Sequence, residues 1–182
     1  MLSIPSLELS GDVSKTITEF PFEMEASPNQ KIEITKTGDF PVYLTNYQRY
    51  WNKTPKATKG DFEITTHFSN DSASILKAGK ETILIADVTI KKDAEYVMIN
   101  IPIPGGCSYT DKKTNFWNES NREYFKNETA IFYQRLAKGK YTFEVKLMPR
   151  YSGKYALNPA KVELMYFPVF NANNDGRRIG IK

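Results

Sequence analysis

The sequence contains little of the side-chain chemistry on which most enzyme sites depend. Its 182 residues include one cysteine and one histidine. A single cysteine excludes an internal disulfide, and one cysteine with one histidine cannot supply the usual ligand sets of zinc. The sequence also lacks the glycine patterns of phosphate-binding and dinucleotide-binding loops. We therefore predict a protein that is not an enzyme, with no cofactor, no metal site and no catalytic residues.

Long apolar runs and concentrated charge are absent as well. No stretch approaches the roughly 20 apolar residues of a membrane helix, and Met1–Pro5 lacks the basic and apolar regions that begin a signal peptide. The net charge is +4, and the basic residues are spread along the chain. Because nucleic-acid-binding arms usually concentrate their basic residues, we expect neither a nucleic-acid partner nor direct membrane insertion.

Aromatic and turn-forming residues are abundant instead. The sequence has 11 Tyr, 11 Phe, 10 Gly and 10 Pro, which is typical of short strands separated by turns. Tyr141–Leu147 alternates apolar and polar residues and so predicts a half-buried strand, as does Phe62–Phe68. The best candidate for a helix is a short one over residues 118–126, with Asn118 as its N-cap. These patterns predict an all-β protein built around an antiparallel β-sandwich.

A polar, basic stretch divides the sequence into two parts. Residues 52–60 carry one proline and one glycine between two strand-rich regions, as linkers and long loops do. We place the boundary so that a smaller β-rich segment, residues 1–58, precedes a β-sandwich over residues 59–182. Only the second part has a comfortable size for an independent sandwich.

Three features that suggest reactive or metal-binding chemistry each have a simpler structural explanation. His67 lies on the polar side of its strand without an identifiable catalytic partner, and Cys107 has no identifiable base. Residues 171–176 match the start of a calcium loop, but Lys182 occupies the position of its final glutamate. We expect residues 171–176 to form a polar hairpin turn.

An aromatic cluster lies just before the polar stretch. Tyr47, Tyr50 and Trp51 are candidates for an interaction surface or an interdomain surface. If the rings are exposed, they are suited to stacking on sugars; if they are buried, they belong to a core or to the packing between the two segments. The sequence leaves both alternatives open.

Residues 60–182 resemble the C-terminal domain of bacterial alpha-2-macroglobulin-like proteins. The similarity includes the strand and proline–glycine turn at 96–106, the strands around 130–139 and 141–147, and the Met-Tyr-x-Pro ending at 165–168. Residues 1–58 are more weakly similar to the second half of the family's CUB-like domain. The family's Cys-x-Glu-Gln thioester is absent, because Ser-Tyr-Thr follows Cys107.

The resemblance implies a macroglobulin-like or immunoglobulin-like sandwich that acts as a non-catalytic structural and interaction domain of a broad-range protease inhibitor. Its partners would be other domains of the parent chain and the proteases that the parent traps. Such a parent would be exported to the periplasm or the cell surface. Within the fold, Tyr166 suits a strand position with its ring buried. The alternative is a stand-alone β-sandwich module that binds carbohydrate or a cell-surface partner.

Overall fold

The computed structural model describes residues 3–48, 52, 54–69, 75–113 and 118–182. These ranges contain strands, turns and loops but no helix, and so no helix of theirs is suited to crossing a membrane. The all-β prediction is confirmed. The strands in the described ranges are β1 Ser6–Gly11, β2 Lys15–Ile17, β3 Ile32–Thr37, β4 Phe62–Phe68, β5 Ile75–Leu76, β6 Thr82–Ile90, β7 Ala94–Pro102, β8 Cys107–Tyr109, β9 Asn121–Tyr124, β10 Glu128–Leu136, β11 Gly139–Pro149, β12 Gly153–Leu157, β13 Lys161–Leu164, β14 Phe167–Asn173 and β15 Arg177–Ile181.

The chain divides into two compact units, residues 1–50 and residues 51–182. The first unit is a three-stranded antiparallel sheet in the order β2-β1-β3. Its core consists of Leu7, Leu9 and Ile17, with a few partly buried apolar side chains around them. In the described part of this unit, no second sheet covers the apolar face of the first. The assignment of residues 1–58 to half of a CUB-like domain stays a prediction.

The second unit contains three sheets that share one apolar core. The strand orders are β14-β13-β7-β10-β9, β4-β6-β11-β8 and β12-β15-β5. The pairings between its described strands are antiparallel except the one between β15 and β5. Alternate residues of β6 and β11 point inward, so that Leu84, Val88, Phe143 and Leu147 are buried with Ile99 of the facing sheet. Alternating burial on both sheets is the arrangement of a β-sandwich.

Two sequence predictions of local structure are wrong. Residues 118–126 form no helix, because Asn121–Tyr124 is β9, which pairs with β10 at the edge of the five-stranded sheet. Asn118 has a φ of 75°, which lies outside the helical region. Helix propensity was overridden here by a pairing with residues about ten positions further along the chain.

Residues 171–176 form no hairpin turn either, because β14 and β15 belong to different sheets. The segment crosses between the sheets and fixes the chain that precedes β4. Asn173 Oδ1 accepts a hydrogen bond from Thr58 Oγ1 at 2.6 Å, and Asp175 Oδ1 accepts one from Ala57 N at 2.7 Å. The asparagine-rich composition that resembles a calcium loop therefore serves contacts within the protein.

Gly106 is required for packing rather than for a turn conformation. A Cβ atom at this position would lie 2.5 Å from the Tyr155 ring and 2.8 Å from Ile181 Cδ1. Such distances are far shorter than carbon–carbon contacts allow. The close approach lets the ring of Tyr155 lie over the turn that leads into β8.

We expect the two units to behave differently when expressed separately. Residues 51–182 contain the whole shared core and should fold. Residues 1–50, whose described part buries three apolar side chains, should aggregate or stay unfolded. The measurement is amide dispersion in a proton–nitrogen NMR spectrum of each piece. A well-dispersed, monomeric spectrum from residues 1–50 would show that this unit is a complete small domain.

Candidate functional site

The structure describes one of the three aromatic residues that the sequence singled out. The side chain of Tyr47 is 76% exposed, whereas Tyr50 and Trp51 lie outside the described residues. Tyr43, four positions earlier, is exposed as well. The proposal that Tyr47, Tyr50 and Trp51 form an interaction or interdomain surface stays a prediction.

Tyr166 is exposed, contrary to the expectation of a buried ring. It lies in the turn between β13 and β14, and 69% of its surface is accessible. Its ring stands edge-on to that of Tyr96, with 5.0 Å between the ring centroids. The backbone of the same turn is held by a 2.8 Å hydrogen bond from Met165 N to Tyr96 O. The turn is thus well fixed, but it presents its aromatic residues outward.

Exposed apolar side chains continue from Tyr166 along β14. Phe167 is 64% exposed, Val169 is 82% exposed and Phe170 is also exposed. We call the surface formed by Tyr96, Tyr166, Phe167, Val169 and Phe170 the apolar edge. Soluble proteins rarely leave contiguous apolar patches uncovered unless these patches bind something.

The strand that carries most of the apolar edge is the last strand of its sheet. β14 is the terminal strand of the five-stranded sheet, so only β13 pairs with it among the described strands. Thr58 forms an isolated bridge with Asn173 and covers one end of β14. Near the other end, Asn171 Nδ2 donates a 2.7 Å hydrogen bond to Pro168 O. Between these points, the ladder with β13 skips residues 168–170, and Asn171 Nδ2 also lies 3.5 Å from Val169 O. Such a bulge disrupts an edge for strand addition, so the exposed side chains of Val169 and Phe170 are suited to packing against another domain.

The single histidine and its surroundings do not form a catalytic arrangement in the described ranges. His67 Nδ1 lies 3.5 Å from Asp87 Oδ2, and both side chains are nearly half exposed. Asp87 Oδ1 also accepts a hydrogen bond from Thr142 Oγ1 at 2.7 Å. No cluster of three or more potential metal ligands occurs among the described residues. The histidine–aspartate pair is therefore a surface contact across neighbouring strands.

The thiol of Cys107 is poorly suited to nucleophilic chemistry. It is half-buried against the main core, and burial raises its pKa to about 11. The thiolate is the nucleophilic form of cysteine, so little of the reactive species is present near neutral pH. This environment is that of a structural cysteine.

We expect Cys107 to react slowly with a small thiol reagent in the folded chain. With a pKa of about 11, against ~8.5 for a free thiol, the thiolate population at neutral pH falls by about two orders of magnitude. The measurement is the rate of reaction with a chromogenic disulfide at pH 7.5, compared with the same chain in denaturant. A rate in the folded chain equal to that of a free thiol would contradict the burial-raised pKa.

The structure contains a buried ion pair between Arg122 and Glu119 that the sequence analysis did not predict. The Arg122 and Glu119 side chains are 2% and 4% exposed. Arg122 Nε donates to Glu119 Oε2 at 2.8 Å, and Arg122 Nη1 donates to Glu144 O at 3.1 Å. Since β9 and β11 belong to different sheets, this arginine ties the two layers together. Sequence reasoning could identify Arg122 as a buried residue only if β9 and its register with β10 were already known.

Comparison with solved structures shows the fold. A Salmonella alpha-2-macroglobulin mutant matches with a TM-score of 0.66 and 11% identity, over 100% of this chain and 13% of that one. Native Escherichia coli alpha-2-macroglobulin, from domain MG7 to the C-terminus, matches with a TM-score of 0.65 and 10% identity, over 97% and 33%. Elastase-activated Escherichia coli alpha-2-macroglobulin matches with a TM-score of 0.63 and 11% identity, over 100% and 19%. A search of curated proteins gave no match.

The family comparison is more specific. The present chain spans at most a third of each of these solved structures. Its residues 46–168 match the family described as the bacterial alpha-2-macroglobulin MG10 domain. This match covers more than half of the chain and includes β4, β11 and the turn that carries Tyr166. The chain therefore belongs to the bacterial alpha-2-macroglobulin MG10 domain family.

Proposed function

We propose that this chain is a non-catalytic structural and interaction domain of an alpha-2-macroglobulin-like broad-range protease inhibitor. The observation that carries the proposal is the apolar edge, where Val169 is 82% exposed on a terminal strand. An exposed edge of this kind is a liability in isolation and an interface when covered. The exposed apolar side chains of the apolar edge support a role in contact with another domain.

Other domains of the parent chain are the partners that we assign to these surfaces. The apolar edge offers exposed apolar side chains on a terminal strand, so a neighbouring domain covers it by packing. The first unit, with its three-residue core, obtains a second layer from the other half of a CUB-like sandwich. The proteases are bound by the parent protein, which is exported to the periplasm or the cell surface.

The proposal is tested by protease inhibition. A polypeptide that joins this chain to the preceding regions of an alpha-2-macroglobulin-like inhibitor is titrated with elastase, and cleavage of a large protein substrate is measured. We expect protection of the substrate by the long polypeptide and none by the 182-residue chain alone. Phe167→Ser with Val169→Ser should weaken protection, because these side chains form the apolar edge.

The control variant is Tyr151→Ser. Tyr151 is also a strongly exposed aromatic residue, but it lies in the turn between β11 and β12, away from β14. The substitution Tyr151→Ser should leave the inhibition of elastase unchanged. Equal inhibition by both variants would remove the assigned role of the apolar edge. Peptide hydrolysis by the chain alone would show that the non-catalytic assignment is wrong.

The alternative of a stand-alone binding module is favoured by one observation, the exposure of Tyr43 and Tyr47 on the first unit. Exposed tyrosines offer rings for stacking on sugars. Glycan-array binding that is lost on Tyr43→Ala with Tyr47→Ala would favour this alternative. Absence of glycan binding, together with inhibition by the long polypeptide, would favour the inhibitor domain.

A further inference from the structure

A second surface lies at the opposite side of the five-stranded sheet from the apolar edge. β14 and β9 are the two terminal strands of that sheet. A pocket of about 620 Å³ opens between β9 and β8, which is the terminal strand of the four-stranded sheet. The pocket lies within the second unit and shares no residue with the apolar edge. It is therefore independent of the proposed inhibitor function.

Aromatic rings held in fixed positions form one wall of this pocket. The rings of Tyr109 and Tyr124 stand edge-on, with 5.0 Å between their centroids. The Tyr109 hydroxyl accepts a hydrogen bond from Thr129 Oγ1 at 3.2 Å, and the Tyr124 hydroxyl donates one to Lys113 O at 2.8 Å. Because both hydroxyls are engaged, the rings are held in place before any ligand arrives, which lowers the entropic cost of binding.

Three cationic side chains line the same pocket. They are Lys112, Lys126 and Arg150, and no carboxylate lines the pocket in the described part of the chain. None of the three has a carboxylate within ion-pairing distance among the described residues. Arg150 Nε donates to Ser108 Oγ at 2.9 Å, which positions the guanidinium. Convergent cations without carboxylate partners favour an anionic ligand.

The backbone beside the pocket is open on one side. Arg150 N donates to Gly106 O at 2.8 Å, and Thr110 N donates to Lys146 O at 3.1 Å. In an antiparallel pair these bonds direct alternate residues toward the partner strand. Tyr109, between them, therefore directs its N–H and C=O away from β11. No other described strand pairs with β8. Because Cys107 N already donates to Pro104 O, the N–H and C=O of Tyr109 are the groups that a further backbone would bond.

We propose that this pocket binds an extended acidic peptide segment that carries an aromatic or aliphatic side chain between its carboxylates. The Lys112 ammonium already lies over the Tyr109 ring, 5.4 Å from its centroid, so the apolar side chain packs on the Tyr124 ring. The carboxylates bind Lys112, Lys126 and Arg150, and the peptide backbone pairs with the outer edge of β8. A phosphate ion uses the cations alone and leaves the rings and the backbone edge without a role. A peptide uses all three features.

The test uses the 182-residue chain and a fluorescent peptide, acetyl-Glu-Phe-Glu-Val-Glu-amide, with a second peptide in which glutamine replaces each glutamate. We expect saturable binding of the acidic peptide that weakens with added salt and much weaker binding of the glutamine peptide. The triple variant Lys112→Gln, Lys126→Gln, Arg150→Gln should weaken binding by at least about tenfold, since each exposed ion pair contributes a small increment.

The matched control is Lys92→Gln, Lys138→Gln, Lys140→Gln. These three lysines are also exposed. Lys92 and Lys138 lie between strands and Lys140 lies in β11, at the end of that strand opposite Arg150. The control removes the same charge and should change binding by less than about twofold. When the acidic peptide is added to the nitrogen-15-labelled chain, the largest changes in backbone amide chemical shift should occur at Ser108 and Tyr109.

Several outcomes would overturn the proposal. They are the absence of saturable peptide binding by the unaltered chain, equal losses in the two triple variants, and shifts that lie away from β8 and β9. Inorganic phosphate or phosphatidylglycerol vesicles that bind at these residues when the acidic peptide does not would also overturn it, because the ligand would then be no peptide.

Discussion

Replacing Phe143 by alanine should lower the free energy of unfolding by about 3–5 kcal/mol. Phe143 is on β11, is 4% exposed and belongs to the main core. Its ring stands edge-on to Tyr133 with 6.0 Å between centroids, so the substitution removes an aromatic contact as well as buried area. The measurement is urea unfolding followed by tryptophan fluorescence and circular dichroism.

The neighbouring residue supplies the control. Glu144 has an exposed side chain, and it accepts a hydrogen bond from Arg122 through its backbone carbonyl, which alanine retains. Glu144→Ala should change the free energy of unfolding by less than about 0.5 kcal/mol. Equal losses from Phe143→Ala and Glu144→Ala would mean that the buried face of β11 has been assigned wrongly.

Removing the arginine of the buried ion pair should be comparably costly. Arg122→Ala leaves the Glu119 carboxylate in a site where the side chain is 4% exposed, with its arginine partner gone. Breaking a buried pair from one side costs about 3–5 kcal/mol. The lost hydrogen bond to Glu144 O also removes a link between the two sheets. Urea unfolding of the variant measures the effect.

The double variant Arg122→Met with Glu119→Leu separates the ion pair from the space that it fills. Apolar residues of similar size leave no unpaired charge, and such replacements are often neutral or stabilising. We expect the double variant to recover most of the stability that Arg122→Ala loses. If the double variant is as unstable as Arg122→Ala, the loss of stability comes from the changed side-chain packing at this site and not from the unpaired charge of Glu119.

The strands with regular alternation are the part of the fold that the sequence predicts well. In Tyr141–Leu147 the period of two places Phe143, Val145 and Leu147 on one face, and the structure buries all three. β4 follows the same rule. In both cases one face of the strand meets the core and the other meets solvent, so burial follows directly from residue type.

Features that depend on sheet order could not be predicted in this way. Residues 118–126 look like a short helix by local propensity, but pairing of Arg122 with Ile131 makes β9 a strand. The apolar residues around Tyr166 and Val169 suit a central strand as well as an edge strand. Only the order β14-β13-β7 shows that they are exposed, so the candidate interaction surface was not visible in the sequence.

The pocket between β8 and β9 illustrates the same limit. Its cations and rings come from segments around 107–112, 124–126 and 150. Nothing in the sequence indicates that they converge, because two terminal strands of different sheets bring them together. The family resemblance predicted the sandwich and left these surfaces undefined.

Hydrogen exchange tests most directly whether the apolar edge is a contact surface within the parent protein. The amide protons of Val169 and Phe170 are compared in the 182-residue chain and in a longer alpha-2-macroglobulin-like polypeptide that contains it. If another domain covers β14, exchange at these amides should slow by at least about tenfold in the longer polypeptide, since protected amides exchange only when the contact opens. Amides of the buried strand β6 should change little and serve as the reference. Equal exchange at Val169 and Phe170 in both proteins would contradict the claim that this edge is a contact surface within the parent protein.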